Sequence, residues 1–118
     1  MVLVTDDKAL GRNTFRMSFG PYYATPVYNK YLAWAGYEDA AAAIREGWAE
    51  KDRDKTAAAM SDEMVDEIAV IGTVEEVQDR IRTDANTGVH TQIIAPMAVT
   101  PEDALRTLKA FTPANFSF

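Results

Sequence analysis

The chain opens on an apolar run, Val2 to Val4, that gives way to a polar cluster at Thr5, Asp6 and Asp7. The run predicts a buried strand over about residues 1–5. Thr5 and Asp6 then offer a helix N-cap, which predicts a helix from about Asp6 to Phe19. Gly20 and Pro21 read as a breaker pair that stops it. The helix restarts at "ATPVYNKYLAWAGY", with Thr25 as N-cap, Pro26 at the first helical position and Gly36 as C-cap. Residues 37–60 are helical by propensity, with two alanine runs, an apolar face at Ile44 and Trp48, and Gly47 as a possible division. Ser61 caps a further helix, "DEMVDEIAVI", whose buried face is expected at Met64, Val65 and Ile68. Thr73 and Glu76 match the capping-box spacing, and Val74, Val77 and Ile81 follow at helical intervals until Gly88. "VHTQIIAP" predicts a second strand, stopped by Pro96. Thr100 and Pro101 start a last helix with Leu105, Leu108 and Phe111 on its inner side.

The pattern therefore predicts an α/β chain that is mostly helical, with two strands near residues 1–5 and 89–95 and about six helices. A mostly apolar strand such as "QIIA" belongs to a parallel sheet covered by helices. Two strands do not make a stable sheet on their own. Either the domain is mainly helical with a minimal two-strand element, or it is part of something larger.

Composition narrows the classes. The 118 residues are enough for one domain with a core, and the apolar fraction of 47% fits a globular chain. No run of 18 apolar residues predicts a membrane span, and no secretory signal opens the chain. The sequence has no cysteine, which excludes disulfides and thiolate chemistry, and the expected compartment is the cytoplasm. A net charge of −6, with Lys51, Arg53 and Lys55 alternating with acids, argues against nucleic acid or an anionic membrane as partner.

Candidate chemistry is sparse. Eight of the twelve aromatic residues lie between Phe15 and Tyr37. Tyr28, Tyr31 and Trp34 recur every three residues, as a packed helix stripe or a dimer surface does. A flat heterocycle could also stack on such rings. The segment best placed to line a substrate cleft is the irregular link "GPYYATPVY", which makes Tyr22, Tyr23 and Tyr28 the cleft candidates. Gly72 and Thr73 open a helix, but Glu75 and Glu76 in its first turn oppose a bound phosphate. Asp62, Glu63, Asp66 and Glu67 stand at i, i+4 spacing, yet read more simply as a solvated helix start than as a cation site. His90 is the only histidine, so no transition-metal site is expected, and no serine lies in a nucleophile elbow. These residues alone assign no catalytic or cofactor-binding set.

The segments "VLVTDD", "YYATPVYNKYLAWAGYED" and "MSDEMVDEIAVIGTVEEVQDRIR…TGVHTQIIAP" together resemble the C-terminal third of luciferase-like monooxygenases, most closely the branch that uses coenzyme F420 and includes methylenetetrahydromethanopterin reductase-like proteins. The resemblance implies a TIM-barrel-like (β/α)8 fold of roughly 300 residues. Residues 1–118 would be a single domain supplying its last two β/α units and a helical insertion, not a complete barrel. It implies F420 or FMN as cofactor, hydride transfer to or from a small organic substrate, and most cofactor contacts on strands outside this chain. The family often has an acid after the Gly-Val pair, where this chain has His90. Activity of the chain alone is not expected. The partner would be the missing N-terminal part of the barrel, or further copies of the chain. The competing reading is a stand-alone helical module that dimerises without catalysis.

Overall fold

A computed structural model describes all of residues 1–118. It contains seven helices and a single two-stranded parallel sheet: β1 (Val2–Val4), α1 (Lys8–Tyr23), α2 (Pro26–Trp34), α3 (Glu38–Ala49), α4 (Arg53–Ala58), α5 (Asp62–Ile68), β2 (Val70–Gly72), α6 (Val74–Ala85) and α7 (Pro101–Ala110). No barrel closes. The chain divides into two compact units, one formed by residues 1–12 and 66–118, the other by residues 13–65.

In the first unit every residue of β1 is buried, so the strand has a core on both faces. Val2 and Val4 pack with Val77 and Ile81 of α6 and Ala110 of α7, with Val70, Ile94, Phe111 and Phe116 around them. Leu3 and Ile71 face the start of α1, where Gly11 comes so close that a Cβ there would lie 2.6 Å from Ile71 Cγ2. One edge of β1 pairs in parallel with β2, Leu3 opposite Ile71. The other edge is closed piecemeal. Val2 N–H donates to Ala95 O at 2.9 Å, Met97 N–H donates to Val2 O at 2.7 Å, and Val4 N–H donates to the Thr107 hydroxyl at 3.0 Å.

That closure explains two departures from the expected pattern. Residues 89–95 form no strand. Only an isolated bridge joins Val2 to Pro96, and Ile93 is 87% exposed. A three-residue β1 has few outward groups to offer, and Thr107 already takes the next one. Helix α7 likewise turns Thr107 and Ala110 inward, while Leu105 and Leu108 are exposed. Small residues let α7 approach β1 closely. Gln78 Nε2 then anchors it, donating to Ala110 O at 2.7 Å and Asn115 O at 3.0 Å.

A third departure is β2 itself. The helix expected to run through Ile71 ends at Ile68, and Val70 and Ile71, both β-branched, pair with β1 instead. Helix α1 starts at Lys8, with Asp7 accepting from Leu10 N–H, and not at Asp6, whereas the starts of α6 and α7 are as expected. Thr73 and Glu76 form a reciprocal capping box, and Thr100 and Asp103 form a second.

The second unit is helical. Its core holds Phe15, Leu32, Ile44, Met60, Met64 and Val65, each at most 1% exposed. Pro21 does not break α1, which continues through it to Tyr23. Rings spaced along that helix hold it together across the proline: Phe15 stacks on Phe19 at 4.9 Å, Phe19 meets Tyr22 at 5.8 Å, and Phe15 meets Tyr23 at 6.3 Å. Gly47 does not divide α3. It lets α4 cross closely, because a Cβ there would sit 2.8 Å from Thr56 N. The chain turns after α3 at Lys51, a non-glycine residue with φ of 60°, and Asp52 caps α4 by accepting from Lys55 N–H.

Replacing Thr107 by Val should leave the Val4 N–H buried without an acceptor and destabilise the protein by about 1–3 kcal/mol. Thr107→Ser, which keeps the hydroxyl, should cost clearly less. Urea denaturation of both variants against the parent checks this, and a larger loss in Thr107→Ser than in Thr107→Val would show that the methyl, not the hydrogen bond, matters.

Candidate functional site

Tyr22 and Tyr23 are the last two residues of α1, and Tyr28 lies in the first turn of α2. The link expected to be irregular is thus largely helical, and only Ala24 and Thr25 separate the two helices. The tight turn brings the three rings together. Tyr28 receives Tyr22 edge-on with centroids 5.7 Å apart and Tyr23 at 6.5 Å and 89°. Tyr22 and Tyr28 are about half exposed, whereas Tyr23 is buried. Burial pushes the Tyr23 phenol above its ordinary value, with Tyr31 and Tyr28 adding to the shift. Tyr23 therefore stays a neutral phenol.

Asn29, only 1% exposed, fixes this turn. Its Nδ2 donates to Tyr23 O at 3.0 Å and Ala41 O at 2.7 Å, and its Oδ1 accepts from Arg45 Nη1 at 2.6 Å. One amide so ties together the end of α1, α2 and α3. The sequence signal for Asn29 was faint: a single amide flanked by Tyr28 and Tyr31 in a mostly apolar helix. The arrangement offers two exposed aromatic surfaces and phenolic donors, which suit a planar partner. It has no carboxylate or imidazole for proton transfer.

The other candidate residues are engaged elsewhere or stand apart. Asp62 pairs with Arg16, and Asp66 pairs with Arg12 at 2.7 Å. His90 is exposed in the segment that forms no strand. Thr73 N–H donates to Glu76 Oε2 at 2.9 Å, and Lys8 Nζ holds Glu76 Oε1 at 2.6 Å. A Cβ on Gly72 would collide with Glu76 Oε2, so the carboxylate fills that helix mouth. Asp103 fills the mouth of α7 in the same way, with Thr100 N–H donating to its Oδ2 at 2.9 Å.

Residues 1–91 match the family model of luciferase-like monooxygenase. The chain belongs to the luciferase-like monooxygenase family. No curated protein and no solved structure matches it. The family relates this chain to flavin- and F420-dependent oxidoreductases, whose members typically bind one of those cofactors. Both carry phosphate, and the mouths of α6 and α7 do not fit that part of the group. The two helix mouths closed by capping boxes each already hold a carboxylate. No helix of this luciferase-like chain is long and apolar enough to cross a membrane.

The caps carry a pH dependence. The Lys8 hydrogen bond, then the Thr73 backbone, hold Glu76 below the ordinary 4.5, and the Thr100 backbone and hydroxyl hold Asp103 below 3.8. Carboxylates depressed in the folded state stabilise it above their unfolded values and lose that effect as pH falls through the folded values. Thermal melts should therefore be level near neutrality and drop below about pH 4.5. The double variant E76Q/D103N should show a shallower drop over that range. An identical acid limb in parent and variant would assign the loss to other carboxylates.

Proposed function

We propose that this chain is the C-terminal portion of a luciferase-like oxidoreductase of the F420- or FMN-dependent kind, most akin to the F420-dependent branch. Residues 1–118 supply the last β/α units of a (β/α)8 barrel and the helical insertion between them. The reaction is hydride transfer between the reduced cofactor and a small organic substrate. In such enzymes the cofactor carries that chemistry, and the protein contributes position and a dry cleft. Tyr22 and Tyr28 form one wall of the substrate cleft, with buried Tyr23 behind them holding their edges. The missing N-terminal part of the barrel is the partner that completes the site.

One observation carries this reading. A chain of the luciferase-like family has only two parallel strands, and beyond β2 no further strand follows. The exposed apolar residues of the same unit support it: Val89, Ile93, Val99, Leu105 and Leu108 are each at least half exposed, where a complete barrel would have further core to cover them. The carboxylate-filled helix mouths also favour a cofactor phosphate held by residues outside this chain.

Fluorescence titration with F420 and with FMN tests the proposal. The 118-residue chain alone should show no saturable binding at micromolar cofactor. A fusion of this chain to the first six strands of a complete luciferase-like barrel should bind one of the two and support hydride transfer. A folded fusion that binds neither would contradict the proposal. Micromolar binding by the chain alone would contradict the assignment of the cofactor site to the missing strands.

A further inference from the structure

Helix α2 is one-sided. Asn29 and Leu32 are buried at 1% and 0% exposure, while Val27, Tyr31 and Trp34 on the opposite side are 76%, 54% and 82% exposed. Those three stand at i, i+4 and i+7, the spacing by which a helix presents anchors to a partner. Tyr31 and Trp34 already touch, with ring centroids 5.9 Å apart, so the surface is preassembled. Lys30 flanks the same face, exposed and outside every ion pair of the structure. The face carries no acid, in a protein of net charge −6.

We propose that this face is a homodimer contact, in which α2 packs antiparallel against α2 of a second copy of the chain. The pattern is self-complementary under a two-fold axis that passes between Lys30 and Tyr31. That axis sets Val27 against Trp34 of the other copy and the two Tyr31 rings near each other at the centre. Helical side chains lean toward their own N-terminus. Lys30 therefore leans toward the level of Val27, where the other copy's Trp34 lies on the same flank. Each ammonium then meets an indole face, and the two lysines diverge. An isologous contact of this kind closes on itself and does not propagate into a filament.

The area suits a second copy that comes and goes. With about 150–250 Å² per aromatic side chain, the exposed parts of Val27, Tyr28, Tyr31 and Trp34 come to roughly 500 Å² per copy, or roughly 1,000 Å² for the pair. That is the lower limit of specific interfaces and fits a weak, concentration-dependent dimer. Tyr and Trp are also the residues that most often dominate such contacts.

Sedimentation equilibrium of the full chain, over about 10 µM to 1 mM, tests the proposal. The parent should pass from monomer to dimer across that range. V27E and W34K should each weaken association by roughly tenfold or more. The double variant V27E/W34K sets an acid against a base across the two-fold and should recover much of it. Trp48→Phe, which leaves this face intact, should behave as the parent. Should V27E fail to fold by circular dichroism, V27K, W34E and their combination read the same register. A chain that stays monomeric throughout, a dimer indifferent to both single variants, or a double variant that recovers nothing would each overturn the proposal.

Discussion

Strand β1 has only three residues, and the unit built around it depends on closing that strand's far edge. A strand of this length offers very few outward hydrogen-bonding groups. Val2 spends its pair on Ala95 and Met97, and Val4 N–H goes to the Thr107 hydroxyl. A helix side chain thus completes a strand edge where a further strand would normally lie. The placement of α7 follows, because Thr107 must face β1 and Ala110 must stay small enough to let the helix approach. Leu105 and Leu108 are then turned outward whatever their hydrophobicity. The hydrogen bond from Val4 N–H to Thr107 holds the helix in this rotation, and breaking it would leave a buried donor without an acceptor.

The same constraint separates what could be read in the sequence from what could not. Helix starts were legible because their causes are local. Thr73 with Glu76 and Thr100 with Pro101 sit at the spacings that backbone geometry demands, and the structure has both capping boxes. Strands were legible only in part, because a strand is defined by its neighbours. Val2–Val4 is buried and paired as expected, yet the more strand-like "HTQIIA" lies unpaired. The shorter Val70–Gly72 takes the place beside β1. Breakers misled for a related reason. Pro21 and Gly47 look disruptive in isolation, but ring contacts carry α1 past the proline and the crossing of α4 requires the glycine. At the candidate site the three tyrosines were named from the sequence, but Asn29, which fixes their turn, was not. Its importance lies in three hydrogen bonds to residues distant along the chain, at Tyr23, Ala41 and Arg45.

For function, the chain supplies surfaces more than reactive groups. Many of its carboxylates are occupied in caps and ion pairs, its histidine is exposed in an irregular segment, and its most organised polar side chain, Asn29, serves geometry. What remains available is aromatic: the half-exposed Tyr22 and Tyr28 at one end of α2, and Tyr31 and Trp34 farther along it. In the proposed function the first pair is the cleft wall. The second pair lies on a helix face that nothing within its own unit covers.

Strand β1 is closed on its far side, while the outer edge of β2 stands open. Ile71 carries the outward N–H of that open edge, since Val70 and Gly72 make the bonds to β1. Amide hydrogen exchange followed by NMR reads both edges in one experiment. The Val4 amide should exchange only on global unfolding, and the Ile71 amide should exchange many times faster through its open edge. Equal protection of Val4 and Ile71 would mean that the edge of β2 is already covered in solution, and would contradict the reading of this chain as an incomplete barrel.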